Sequence, residues 1–200
     1  MKIGVLAMQG AFAEHIAVLK ELGIEAVEVR RVDQFKELAG LIIPGGESTT
    51  MLKLGDIYQI NDEIKKSSSK GLPIWGTCAG AILLAETVTN TGPNMLVGLG
   101  LMRITVRRNA FGRQVDSFEA KIPVEGMSCE PFPAVFIRAP LIESVIPPAT
   151  VMARLGNGTI VAVRQDNLLA TSFHPELSFD DRFHRYFVGM AETYFAQIRS

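Results

Sequence analysis

Pro73-Ile74-Trp75-Gly76-Thr77-Cys78-Ala79-Gly80-Ala81-Ile82-Leu83-Leu84-Ala85 is the stretch on which the reading of this chain turns. A short apolar strand at Pro73-Ile74-Trp75 meets a glycine-flanked turn, and an apolar helix over 79–85 follows at once. Gly76-Thr77-Cys78-Ala79-Gly80 therefore has the form of a nucleophile elbow with cysteine at its centre. Glycines at both flanks permit a sharp turn and close packing around a strained residue. Such a turn lifts the thiol to the carboxyl end of the sheet, where open α/β folds bind ligands. The helix N-terminus behind the sulfur favours thiolate. A buried, inert cysteine is the competing reading, since that is the commonest state of a free thiol.

Upstream, the pattern repeats strand and helix. A β-rich run over 2–7 ends at Gln9-Gly10, and Phe12, Ile16, Leu19 and Leu22 then fall at helical spacing over 12–22, with Gly23 as cap. Strands follow at 26–29 and 41–43, the latter stopped by Pro44-Gly45-Gly46. Ser48 is placed to cap a short helix over 49–54, a further helix covers 57–66, and Ser67-Ser68-Ser69-Lys70-Gly71 reads as a surface connection. Downstream, strands at 101–107, 114–122 and 134–138 come without helices between them. Strands at 151–155 and 159–164 flank the hairpin turn Gly156-Asn157-Gly158, and another at 168–173 ends on His174-Pro175-Glu176. Phe183, Tyr186, Phe187, Met190, Tyr194, Phe195 and Ile198 stripe a C-terminal helix. The fold class expected is α/β, one domain over 1–200, with a mainly parallel central sheet flanked by helices and an antiparallel extension.

Composition narrows the class of function. Twenty Lys plus Arg against 21 Asp plus Glu give a formal net charge of −1, which removes the electrostatic case for a nucleic-acid or basic membrane-surface protein. Apolar residues at 48% suffice for a sizeable core. Cys78 and Cys129 offer no disulfide framework, so a reducing compartment is expected. The uncharged stretch 71–85 is too short and too broken by Pro73, Gly76 and Gly80 to span a bilayer. Lys2, the apolar residues 3–8 and Ala11-Phe12-Ala13 imitate a signal peptide, but a first strand and helix account for them better. The chain reads as cytoplasmic. Cysteine and histidine show no ligand-pair spacing, so no metal is expected.

A thiolate acting on an amide needs a proton donor for the leaving nitrogen, usually histidine. His15 and His184 lie in amphipathic helices, where a solvated or packing role is the expectation. His174 differs, because Pro175 pushes it into an extended conformation, in which Glu176 projects from the same face and can fix its tautomer. A polar strand-end turn is the alternative for His174-Pro175-Glu176. The oxyanion donors expected are the backbone N–H of Ala79 and one from the loop Pro44-Gly45-Gly46-Glu47-Ser48, where paired glycines let a peptide turn inward. A plain tight turn and helix cap would use the same residues. Arg107, Arg108 and Arg138 stand at strand ends, where a substrate carboxylate could be held, although such arginines are more often solvated. Cys129, in a polar loop with no helix behind it, reads as a bystander.

The cysteine elbow followed far downstream by His-x-Glu resembles the class I, triad-type glutamine amidotransferases, whose fold is flavodoxin-like. Gly10, the run from Leu41 through Pro44-Gly45-Gly46-Glu47-Ser48 to Met51, the stretch from Arg108 to Ala120 containing Asn109-Ala110-Phe111-Gly112-Arg113, Phe136-Ile137-Arg138-Ala139-Pro140, and Ser172-Phe173-His174-Pro175-Glu176-Leu177 narrow the likeness. Together they resemble the glutaminase subunits of pyridoxal 5′-phosphate synthases over nearly the whole chain. The resemblance implies hydrolysis of L-glutamine to L-glutamate and ammonia, with Cys78 as nucleophile, His174 as proton shuttle and Glu176 as its orienting group. It implies a glutamine site at Gly46, Glu47, Ser48, Arg108, Ile137 and Arg138, with Gly46 and Ala79 forming the oxyanion hole. It further implies that the partner is a separate synthase subunit, and that this chain binds no cofactor. Two other readings stand beside it: the glutaminase of another pathway, such as histidine biosynthesis, and a non-catalytic module keeping a redox-sensing cysteine. The segments at 108–120 and 136–140 speak against the former, and the paired His174 and Glu176 against the latter.

Overall fold

The computed structural model describes residues 1–91, 97–108 and 117–199. Strands β1 (Lys2–Leu6), β3 (Leu38–Ile43), β4 (Ile74–Thr77) and β12 (Leu168–Thr171) run side by side and parallel, with β2 (Glu25–Val29) outside β1. Every residue of β3, β4 and β12 is buried, as strands covered on both faces must be. Side-chain alternation divides them between two cores. Leu41 and Ile43 pack with Ile60 and Ile64 of α3 (Ile60–Ser69) and Leu83 of α4 (Ala79–Leu84). Ile42 and Trp75 pack on the other side with Leu19 of α1 (Phe12–Glu21) and Phe183 and Phe187 of α5 (Arg182–Gln197).

Past β12 the sheet becomes antiparallel through β11 (Ile160–Gln165), β9 (Leu141–Val145) and β6 (Met102–Arg107). β5 (Ala85–Thr89) closes that edge parallel to β6, and β10 (Thr150–Arg154) pairs with β11. The β10–β11 connection is the expected hairpin. β7 (Ser117–Ile122) and β8 (Phe132–Ile137) form a separate antiparallel ribbon, fastened by Phe132 and Phe136 against Phe173. The parallel registers matter most for function. Ile43 lies opposite Gly76, and Thr77 opposite Thr171, so the segments leaving β3, β4 and β12 emerge together at one edge.

Several local expectations are corrected. Ser48 is not a cap: it opens α2 (Ser48–Ile57), and the carboxylate of Glu47 caps the helix by accepting from the N–H groups of Thr49 and Thr50 at 3.1 and 2.7 Å. Ser67, Ser68 and Ser69 are not a connection but the last turn of α3, with Ser68 buried beneath it. The helix expected over 57–66 begins later because Gln59, at φ 59°, breaks α2 from α3. The helix expected to include Ala85 stops at Leu84, where β5 starts; β5 and β9 are additions to the strands read from sequence. Of the strand expected over 114–122, residues 114–116 lie outside the described residues, as do Asn109 to Phe111 and the rest of 109–116. No helix among the described residues is long and apolar enough to cross a membrane.

Candidate active site

Cys78 sits between β4 and α4 at φ 48° and ψ −104°, a backbone conformation that L-residues rarely adopt. Its flanking glycines have steric reasons to be there. A Cβ on Gly76 would strike the backbone of Gly80, and one on Gly80 would strike the carbonyl of Ile43 on β3. The backbone N–H of Cys78 donates to Thr171 O at 2.8 Å, tying the elbow to β12. Gly80→Ala should accordingly destabilise the fold. Helix propensity would favour alanine by about 1 kcal/mol, but contact with a strand carbonyl that cannot yield costs about 1–3 kcal/mol or more. Thermal melting should show a lowered midpoint; an unchanged or raised one would contradict the packing argument.

His174 leaves the end of β12 with its N–H bonded to Val135 O of β8 at 2.8 Å. Its Nδ1 lies 2.7 Å from Glu176 Oε1, and the Glu176 side chain is fully buried. The expected pairing is thus made, but by a different route: Pro175–Leu177 is a 3₁₀ turn, not an extended segment. Burial pulls the basicity of His174 down, yet hydrogen bonds and charge interactions with Cys78 and Glu176 outweigh it and raise its pKa to about 10. Burial also opposes the charge on Glu176, but the imidazoles of His15 and His174 hold its carboxyl below the usual carboxylate range. The His174 imidazole therefore lies between the buried Glu176 carboxylate and the Cys78 sulfur, both of which favour its protonated form.

This arrangement has a consequence for stability. A group normally titrating near 6.5 and raised to about 10 adds stability that is complete below 6.5 and lost as pH climbs through 10. Relative to a His174→Asn variant, the wild-type melting temperature should fall between about pH 7 and 10. Parallel melting curves for the two proteins would reveal no divergence if His174 were neutral.

The thiol opens on a cleft of about 420 Å³ lined by Gln9, Gly46, Glu47, Ser48, Ala79, Arg108, Ile137, Arg138 and His174, among others. Of the site residues expected from sequence, Gly46, Glu47, Ser48, Cys78, Ala79, Arg108, Ile137, Arg138 and His174 are brought to this cleft, and Glu176 lies behind His174. Gly45 approaches Cys78 and His174 closely: an added Cβ would meet the His174 ring and lie 3.4 Å from Cys78 Cβ. Arg108 Nη2 donates to Glu47 Oε1 at 3.1 Å, so one cation and one anion share a wall. Partial burial opposes the charge on Glu47, but the Thr50 and Thr49 N–H groups keep its carboxyl below its ordinary range. Arg138 lies at φ 44° just past β8, and the Ile137 carbonyl is 3.9 Å from Cys78 Sγ. Arg107, by contrast, pairs with Glu143 at 3.1 Å and does not line the cleft. Cys129 is exposed and does not line this cleft.

Two contributors were not read from sequence. Gln9, three residues past the end of β1, accepts from the Glu47 N–H at 2.6 Å and holds the 44–48 loop. His15, for which a solvated or a packing role is expected, is fully buried, and its Nε2 lies 3.3 Å from Glu176 Oε2. The helical spacing of His15 with Leu19 was the available signal, since residues four apart share a face.

Comparison with known proteins places this geometry. The sequence pattern described as the SNO glutamine amidotransferase family matches residues 5–193. The chain belongs to the SNO glutamine amidotransferase family. This family member is 61% identical over 197 residues to the pyridoxal 5′-phosphate synthase subunit PdxT of Dehalococcoides mccartyi, covering 97% of this chain and 99% of that one. It is 53% identical over 190 residues to the protein of the same name from Moorella thermoacetica, covering 95% and 99%. A crystal structure of a glutamine amidotransferase superposes with a TM-score of 0.89 at 50% identity, over 95% of this chain and 98% of that one. A chain in the structure of PurLQS from Thermotoga maritima, at 17% identity and TM-score 0.70 over 100% and 99%, shares the fold alone. The SNO family member thus has the class I glutamine amidotransferase fold expected from its elbow.

Proposed function

We propose that this chain is the glutaminase subunit of a pyridoxal 5′-phosphate synthase, with 1–200 acting as one cytoplasmic glutaminase domain. It hydrolyses L-glutamine and supplies ammonia to a synthase subunit. The observation that carries this reading is the line from Cys78 through His174 to buried Glu176, at the floor of a cleft walled by Arg108, Arg138 and Glu47.

With its proton passed to His174, the sulfur of Cys78 attacks the side-chain carboxamide carbon of glutamine, forming a C–S bond as the carbonyl becomes an oxyanion. The N–H groups of Ala79 and Gly46 receive that charge. His174 gives its proton to the nitrogen as the C–N bond breaks, and ammonia leaves. It then takes a proton from water as the hydroxide attacks the thioester, and glutamate departs with the Cys78 sulfur restored. Arg108 and Arg138 match the α-carboxylate of the substrate, while Glu47 and the Ile137 carbonyl match its ammonium. Gly46 and Ser48 complete the wall on which the substrate lies. Pyridoxal phosphate is the product of the whole assembly, and none of the chain's proposed steps uses it.

Glutamate release from glutamine, assayed with and without the synthase subunit, tests this directly. Turnover should rise when the partner is added. The Gly45–Gly46 peptide has its carbonyl held by the Ala11 N–H at 3.0 Å, and the direction of the Gly46 N–H depends on that peptide. Docking that reorients it would complete the oxyanion hole only in the complex. Equal rates with and without partner would refute activation, and failure to bind any synthase subunit would refute the pathway.

A further inference from the structure

Behind the proposed triad lies an imidazole pair that the chemistry above does not use. His15 on α1 and His184 on α5 are fully buried, with His15 Nδ1 and His184 Nε2 3.0 Å apart. His15 Nε2 is 3.3 Å from Glu176 Oε2 and also 3.3 Å from Thr77 Oγ1. Glu176 Oε1 is taken by His174, while buried Oε2 has no hydrogen-bond partner of good geometry among the described residues, His15 Nε2 approaching it at 3.3 Å. Trp75 stands edge-on to both imidazoles, with ring centroids 5.6 Å from His15 and 5.0 Å from His184.

We propose that His15 is a positioning residue that fixes Glu176 through its second carboxylate oxygen, and that His184 selects the tautomer in which His15 can do so. The assignment follows from donors and acceptors. An ionised carboxylate only accepts, so the nitrogen facing Oε2 must carry hydrogen. A neutral His15 protonated at Nε2 has a bare Nδ1, so the contact at that end is a donation from His184 Nε2–H. His184 Nδ1 is then a lone pair, and it is the ring nitrogen without a partner. With both rings neutral, a hydrogen on His15 Nδ1 instead would leave a lone pair on Nε2 facing the ionised Oε2, a conflict that the Thr77 hydroxyl relieves at its own contact only. Burial lowers the basicity of both imidazoles, which Glu176 and Glu14 oppose at His15 without reversing it.

Held at one oxygen only, a carboxylate swings about its terminal bond. Held at both, it keeps Oε1 aimed at His174 Nδ1. The titratable groups around it are His174, with Cys78 beyond; His15 and Glu14 from α1; and His184 from α5. Loss of the His15 N–H makes Glu176 easier to protonate, so the acid limb of any triad-dependent rate moves to higher pH.

This inference rests on the glutaminase reading, and two measurements separate their fates. In the complex, His15→Leu should lower kcat for glutamate release about ten- to a hundredfold, as loss of an outer orienting partner commonly does. KM should change little, because His15 does not line the cleft, and His15→Gln, which retains an N–H, should restore both rate and acid limb. In the isolated chain, iodoacetamide labelling of the Cys78 peptide should show the same shift of the acid limb whether or not glutamine is a substrate. A shift in labelling without glutamate release by wild type would retain the positioning role and reject the glutaminase reading. Equal losses in both variants with unmoved acid limbs would overturn the proposal. Nitrogen-15 histidine spectra of the wild-type chain guard against a misfolded variant. Both imidazoles should remain neutral Nε2–H tautomers from about pH 6 to 9, and a His15 protonated at Nδ1 alone would overturn the assignment.

Discussion

Cys78→Ala should abolish glutamate release, with kcat falling about 10⁴-fold or more, as for nucleophiles that act as one unit with their base. The expectation is unusually clean here because alanine keeps the Cβ and little else changes. The side chain is nearly buried, at 8% exposure, and its sulfur is held loosely by the Ile137 carbonyl, so a cavity of one atom should cost little stability. Stability and activity therefore part company. Loss of the sulfur also removes one of the partners that raise His174, and the imidazole should become less basic. Steady-state glutamate release, melting temperature and binding of the synthase subunit should be measured together. Wild-type hydrolysis in the variant would sink covalent catalysis by Cys78, whereas loss of folding would remove the test's meaning for chemistry and contradict the packing estimate.

The second large effect is expected from Glu176→Gln. Size is unchanged, but one accepting oxygen becomes a donating NH₂ inside a site where both positions face N–H groups. With the amide oxygen toward His174 Nδ1, at 2.7 Å in the wild type, the NH₂ points at His15 Nε2, 3.3 Å from the present Oε2. With the amide reversed, the NH₂ faces His174 Nδ1 and forces the proton to the other ring nitrogen, the wrong tautomer for accepting one from the thiol side. Neither orientation satisfies both neighbours, and the charge that helps hold His174 protonated is gone. A fall in kcat of about 10³- to 10⁴-fold is expected, by analogy with tautomer loss in other triads. KM for glutamine should stay close to wild type, since Glu176 does not line the cleft. A variant retaining a tenth of the wild-type kcat would reject an orienting role for this carboxylate.

How much of this was legible depended on how local the interaction is. The elbow was readable because strand, turn and helix are contiguous, and because glycine is required where a Cβ would meet Ile43 or Gly80. His174 and Glu176 were readable because they are two residues apart, although the 3₁₀ turn that joins them was not. Glu47 yields to Ser48 as the expected cap because hydroxyls are preferred caps; only the structure shows a carboxylate reaching two N–H groups. Ser67-Ser68-Ser69 has turn-like composition, yet Ile60, Ile64 and Ser68 keep the four-residue spacing of one buried helical stripe. Strand β5 follows the apolar helix α4 without a breaker, so the change of period at Ala85 leaves no mark. The contact of His15 with Glu176 joins opposite ends of the chain, which no local pattern can announce.

The junction at β12, where parallel pairing gives way to antiparallel, has one more meaning. Proposed nucleophile, shuttle and orienting carboxylate all hang from β4 and β12, in the fully covered half of the sheet, while Arg108 follows β6 in its antiparallel half and Arg138 follows β8 in the separate ribbon. The reagents and the two arginines thus rest on different strands, joined where the His174 N–H meets the Val135 carbonyl of β8. Selection can alter the grasp on substrate, strand end by strand end, while the acyl-transfer machinery stays where its own scaffold set it.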